Sequence, residues 1–181
     1  MKNFSVKHIV ATGIGAALFF LLGRFISIVI FANTTLTFQY AVQAFFAVLF
    51  GPIVGALVGF IGHIIIDMTF PWGIWWSWII TSGFVGWGFG IISKGIPIEE
   101  GVFTGKHIAR FVIGTTIVNA IGWIGLAPVL DILIYAQPVE RVFAQGAVAF
   151  VTNAITTAVV GTLLLIAYAK AKPKSGSLSQ E

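Results

Sequence analysis

The sequence predicts an all-α integral membrane protein, a six-transmembrane-helix bundle with both termini cytoplasmic, and three observations carry that expectation. Of 181 residues, 58% are hydrophobic and only 9% charged, with a mean hydropathy of +1.01, whereas a soluble domain carries about 25% charged residues. Apolar runs recur along the chain at lengths near the roughly 20 residues that a membrane span needs. The basic residues fall largely into three groups, Lys2 and Lys7, then Lys94, Lys106 and Arg110, then Lys170, Lys172 and Lys174. The positive-inside rule places all three groups on the cytoplasmic side.

The elements follow in order within one membrane-embedded domain, 1–169. Helix one is read as 9–31; its charged start resembles a signal peptide, but the apolar run exceeds the roughly 7–15 residues of a cleavable one and is expected to be retained. The region 38–68 is apolar for too long to be one span and carries Gly51-Pro52, a turn signal because Pro cannot continue a helical hydrogen-bond ladder. Charge favours a reversal there over a kink, since only a reversal keeps the three basic groups on one side. The reading is therefore two short helices, 38–50 and 53–68, which must tilt, thin the bilayer or sit inside the bundle. Helices at 74–93, 108–135 and 142–169 follow, and 170–181 is read as a flexible cytoplasmic tail.

Polarity departs from expectation at the outer ends of these helices. Asp67 and Asp131 lie there, and Arg24 sits in the outer half of helix one. Intramembrane charge is costly and marks function by default, although Arg24 could pair with either aspartate or snorkel. Four of the six tryptophans fall in Trp72-Gly-Ile-Trp75-Trp76-Ser-Trp78. Interfacial anchoring accounts for some of them; aromatic faces also stack on planar ligands, so this segment is a candidate wall or lid. Asn33, Gln39, Tyr40, Gln43, His63, Asp67, Trp72, Trp75, Trp76, Asn119, Trp123, Asp131 and Tyr135 together describe an amide-rich, aromatic-rimmed outer pocket. Asn and Gln can equally be interhelical glue.

Catalytic readings fail on inventory. The absence of Cys removes disulfides, thiolate metal sites and cysteine nucleophiles. There is no Gly-rich loop ending in Gly-Lys-Ser/Thr, no His-Glu-x-x-His and no Gly-x-Ser-x-Gly elbow, so neither ATP hydrolysis nor protease or esterase chemistry is expected here. No metal site and no resident cofactor are expected, and the basic residues are explained by topology without nucleic acid. Helix one carries two small-residue ridges, Ala11/Gly15 and Gly13/Ala17, of the kind that lets helices approach closely in lipid. At 100° per residue Gly13 and Ala17 lie within about 20° of Arg24, and Gly15 about 180° away. With Arg24 facing the bundle, Ala11/Gly15 would be left to meet another protein.

The chain resembles the substrate-binding S components of energy-coupling-factor (ECF) vitamin transporters. The resemblance runs through Val10-Ala-Thr-Gly-Ile-Gly-Ala-Ala-Leu18, Gln39-Tyr40-Ala41-Val42, Phe50-Gly51-Pro52, Gly59-Phe-Ile-Gly-His63 with Asp67, Ala127-Pro128 with Asp131, and Gly161-Thr-Leu-Leu-Leu165. It is similar to a subgroup holding both riboflavin-type and cobalamin-specific members. The resemblance implies a vitamin-binding subunit of the cell membrane that docks to a transmembrane scaffold and two ATPases, which bind the ATP and Mg. It also implies that the vitamin is cargo, captured at the outer face and delivered by toppling. Docking through small residues of helix one maps onto Ala11 and Gly15, or onto Gly13 and Ala17.

Among vitamins the amide-rich lining favours cobalamin, whose corrin edge the tryptophans would cover while His63 approaches cobalt. Riboflavin or another vitamin or precursor is the alternative. A proton-coupled carrier using Asp67, Asp131, Arg24 and His63 as a relay, without ATPases, is a different class of function.

Overall fold

The computed structural model describes residues 5–31 and 34–172. Helix α1 (Val6–Phe25) leads into an antiparallel hairpin of β1 (Ser27–Phe31) and β2 (Thr34–Thr37). Helices α2 (Gln39–Phe50), α3 (Pro52–Asp67) and α4 (Trp76–Ile92) follow. After a 3-10 turn at Ile98–Glu100 come two long rods, α5 (Gly105–Tyr135) and α6 (Val139–Ala171). The rods α1, α5 and α6 are long and apolar enough to cross a membrane, while α2, α3 and α4 are shorter apolar helices. Large apolar side chains such as Ile113, Leu133, Ile155 and Leu163 face outward, as expected where lipid replaces water around the bundle.

The hairpin corrects the expectation of a first helix over 9–31. Ile26, Ile28, Val29 and Ile30 are β-branched, and so are Thr34, Thr35 and Thr37; such residues lose side-chain freedom in a helix and fit an extended strand. Hydropathy registered their greasiness and missed their shape. Elsewhere the helix limits agree with the sequence reading to within about three residues. Residues 173–181, read as a tail, lie outside the described residues.

Gly51-Pro52 is a reversal. Gly51 adopts φ +91° and Pro52 opens the next helix, a pairing in which Gly takes the left-handed angle and Pro needs no amide partner. The α2–α3 hairpin is held by Gln43, whose Nε2 donates to the Gly55 carbonyl (3.0 Å) and to the Ser82 carbonyl of α4 (2.7 Å). On the far side of that bond α3 and α4 meet backbone to backbone. A Cβ added at Gly55 would strike the Gly86 carbonyl, one at Gly86 the Gly55 carbonyl, and one at Gly90 the backbone of Pro52. In lipid, where apolar burial supplies no force between helices, such close approach is what packs them. No residue of α2 is exposed, so it sits in the middle of the bundle, which is how its shortness is accommodated.

Gln43 is fully buried and does not reach the cavity described below. Replacing it with Leu removes two hydrogen bonds and forces a branched chain against Gly59 and Gly86. The expected cost is about 1–3 kcal/mol, read as a lower unfolding temperature in detergent with ligand affinity unchanged. A large loss of affinity at unchanged stability would return Gln43 to the ligand site.

In α5 a π-helical segment, Ala120–Leu126, precedes Pro128. Pro128 has no N–H to offer the preceding turn, and the ladder takes up the mismatch there. At the end of the bundle opposite the hairpin, His8 accepts the Ser5 N–H and His107 the Thr104 N–H, each at 3.2 Å. Two of the three histidines are thereby accounted for as helix caps. Lys172 Nζ lies 2.7 Å from Glu99 Oε2, and the Tyr168 hydroxyl donates to Glu99 Oε1 at 3.0 Å. Hydrogen bonding from Lys172 holds the Glu99 carboxyl below its usual value, and the same bond pushes the Lys172 ammonium up to about 12. The link pins the end of α6 to the loop before α5.

Candidate functional site: an aromatic-walled cavity

A cavity of about 520 Å³ opens at the hairpin end of the bundle. Its size falls within the roughly 300–1,000 Å³ of small-molecule sites. The hairpin forms one wall: Ser27 pairs with Thr37 and Val29 with Thr35, so all four share a face, and all four line the cavity. Ile28, on the other face, is 64% exposed.

The tryptophan wall is built around Asp131. Its Oδ1 accepts the Trp75 indole N–H at 2.6 Å and the Ser77 hydroxyl, and its Oδ2 accepts the Trp78 indole N–H at 2.8 Å. Asp67 completes the fixing, with Oδ2 accepting the Trp75 backbone N–H at 2.9 Å. Both carboxylates are buried, and four neutral donors from one short segment satisfy them. Buried charge demands such partners.

A third wall is a stack of flat groups. The Arg24 guanidinium lies 4.6 Å from the Phe70 ring centre, and Phe70 stacks on Trp72 at 4.3 Å and 9°. Arg24 Nε donates to Thr69 Oγ1 at 3.1 Å. The expected pairing of Arg24 with Asp67 or Asp131 is not formed, because neutral donors already occupy Asp131 and Arg24 turns to Thr69 and Phe70. The floor holds Gln39, Tyr40 and His63. His63 Nδ1 is 2.6 Å from Ser82 Oγ, which is 3.0 Å from the Tyr40 hydroxyl, and His63 Nε2 is 3.7 Å from Asp67 Oδ1. From α6, Arg141, Gln145 and Asn153 reach the same space. Two buried oxygens on the lining, Thr37 Oγ1 and Gln39 Oε1, have no hydrogen-bond partner among the described residues.

Of the residues expected from sequence, Gln39, Tyr40, His63, Asp67, Trp72, Trp75 and Asp131 meet at this cavity. Gln43, Trp76, Asn119, Trp123 and Tyr135 do not line it. Trp123 donates to Asn119 Oδ1 at 3.0 Å, and Asn119 returns to the Thr115 carbonyl at 2.9 Å, one closed set buried within α5. The Trp123 ring packs behind Tyr40 and Trp78, with centres 5.0 and 5.4 Å apart. Tyr135 stacks on the back of Trp75 at 4.1 Å and accepts the Trp76 backbone N–H at 2.8 Å. These residues brace the lining from a second layer. Asn33 lies outside the described residues.

Sequence reasoning missed Phe70, Arg141 and the hairpin threonines as lining, and included Trp78 only as part of the tryptophan segment. Trp78 had a signal, sitting one helical turn after Trp75 and so on the same face. The relay imagined for Asp67, His63, Asp131 and Arg24 is not continuous, since Asp131 and Arg24 are tied to groups outside it.

The sequence model of the family described as ECF-type riboflavin transporter, S component, matches residues 3–170. The chain belongs to that family. UPF0397 proteins are close in sequence over full length: one from an Exiguobacterium strain is 53% identical, covering 100% of both chains. Another, from Streptococcus gordonii, is 48% identical over 99% of this chain and 96% of its own. Among solved structures, FolT crystallised with folic acid superposes with a TM-score of 0.64, covering 89% of this chain and 98% of that one at 17% identity. At that identity the likeness is one of fold. The S component described here is thus a multi-pass protein of the cell membrane and the substrate-binding subunit of a transporter rather than an enzyme.

Proposed function

We propose that this S component captures a planar heteroaromatic vitamin of about flavin size in the aromatic-walled cavity. The observation that carries the reading is the placement of Trp72, Trp75 and Trp78 around the space. Flat faces suit a flat ring.

The amide argument that favoured cobalamin loses two of its residues, since Gln43 and Asn119 spend their amides inside the bundle while Gln39, Gln145 and Asn153 line the cavity. A corrinoid is also several times the bulk of a flavin, and the 520 Å³ space suits the smaller ligand. His63 uses Nδ1 on Ser82 and turns Nε2 toward Asp67.

The bundle crosses the membrane six times with both termini cytoplasmic, which places Lys94, Lys106, Arg110 and Lys170 inside and the cavity outside. Docking to the scaffold uses the Gly13/Ala17 ridge of α1, and the subunit topples with its cargo when the two ATPases drive the scaffold. Ala11 and Gly15 are buried within the bundle, whereas Gly13 and Ala17 are exposed. The helical-wheel argument fails because Arg24 leaves the exposed stripe and bends its long side chain round to Thr69.

Titrating the purified subunit with riboflavin and with cobalamin, while following tryptophan fluorescence, tests the reading. Saturable quenching by the flavin and none by the corrinoid is expected. Preferential binding of the corrinoid overturns it.

A further inference from the structure

Every carboxylate lining the cavity is committed to the protein's own wall, and the two guanidiniums there are not committed to carboxylates. Asp131 is consumed by Trp75, Ser77 and Trp78, and Asp67 by the Trp75 backbone and the nearby His63. Among the described residues, neither Arg24 nor Arg141 forms an ion pair, and Glu140, next to Arg141 in the chain, does not supply one. Arg24 is half-buried, held by a neutral hydroxyl and the face of Phe70. Arg141 reaches the cavity from a different element, near the start of α6, is exposed, and has no hydrogen bond among the described residues.

Topology makes the placement more telling. On the orientation proposed above both arginines lie on the outer side, where positive-inside bias disfavours basic residues. Arg also differs from a generic cation: its planar fork matches carboxylate and phosphate oxygens, and the Phe70 ring and Thr69 hydroxyl hold Arg24 in place in advance of any partner.

We infer that Arg24 and Arg141 form an anion clamp at the cavity, and that the cargo is a planar heteroaromatic bearing a carboxylate or phosphate. The ring lies among the tryptophans, and its anionic tail lies against the two guanidiniums. The clamp rests on the function proposed above and narrows it from any flat vitamin to an anionic one.

The test uses riboflavin and flavin mononucleotide, which share a ring and differ by one phosphate, on the full chain in phosphatidylcholine nanodiscs. The phosphorylated flavin is expected to bind ~10-fold or more tightly, as charge-assisted hydrogen bonds allow, with the preference shrinking as salt screens it. Arg24→Gln and Arg141→Gln should each lower the flavin mononucleotide affinity by a larger factor than the riboflavin affinity and so erase most of the preference, with an unfolding temperature close to wild type reporting that the variants fold. Arg24→Lys should keep part of the preference.

Equal affinity for the two flavins, or variants that weaken both alike, overturns the clamp while leaving the flat-ring cavity standing. Failure of both flavins to bind removes the cavity reading and the clamp together. An outer-leaflet lipid phosphate offers the same chemistry. If the Gln variants lose co-purifying phosphatidylglycerol in mass spectra without changing the flavin ratio, the arginines hold lipid and the clamp is wrong.

Discussion

Asp131→Ala is expected to weaken ligand binding at least 100-fold in a subunit that still inserts into the membrane. One carboxylate holds two indoles and a hydroxyl, so truncation leaves three donors at a buried position without an acceptor. At about 1–3 kcal/mol for each unsatisfied group, the tryptophan wall cannot keep its present arrangement. Trp75 and Trp78 would turn to find other acceptors, and the flat surface they present would be lost. Asp131→Asn separates charge from geometry. It retains one oxygen for an indole and presents an amide to the other, so an intermediate loss is expected. Near-ultraviolet circular dichroism of the tryptophans should change in both variants, most in the alanine. Affinity that stays within twofold of wild type would mean that Trp75 and Trp78 are fixed by something other than Asp131.

The second large effect divides two glycines two residues apart on α1. Gly15→Leu should give little folded protein, because even a Cβ at that position collides with Val58 and presses on the Phe46 ring, and a leucine adds three more carbons. Overpacking of this kind costs about 1–3 kcal/mol and occasionally more. Gly13 has nothing within 4 Å of where its Cβ would stand. Gly13→Leu should therefore purify normally and bind ligand with unchanged affinity, yet fail in uptake when scaffold and ATPases are present, since the added bulk stands on the proposed docking ridge. Full transport by that variant would move docking elsewhere on the surface. Thermal stability, affinity and uptake measured on the same pair keep folding and docking distinct.

Much of the bundle was legible because its signals are long. Spans of hydropathy, the Gly51-Pro52 break and the distribution of lysines each average over many residues, and they located the helical segments and the tight reversal between α2 and α3. The hairpin was not legible by the same means, since Ile28 and Val29 are as apolar as any helical residue. Only their branching distinguished them. In the site, residues at the outer ends of helices were found by position, whereas inward and outward choices within a helix depend on partners that the sequence does not place. Asn119 and Trp123 are a pair four apart whose spacing does not say which way they face; they bond each other within α5 and do not line the cavity. The exchange of ridges on α1 has the same origin: a helical wheel needs one residue of known direction, and Arg24 is long enough to mislead.

The contact between Gly55 and Gly86 carries a mechanical consequence. Where two helices touch through their backbones, no side chain between them can rotate to let them slide. With Gln43 bolting α2 to the same pair, these three helices form one solid block. Between these three helices there is no seam that could slide open, which favours the proposal that cargo travels as a passenger of the turning subunit.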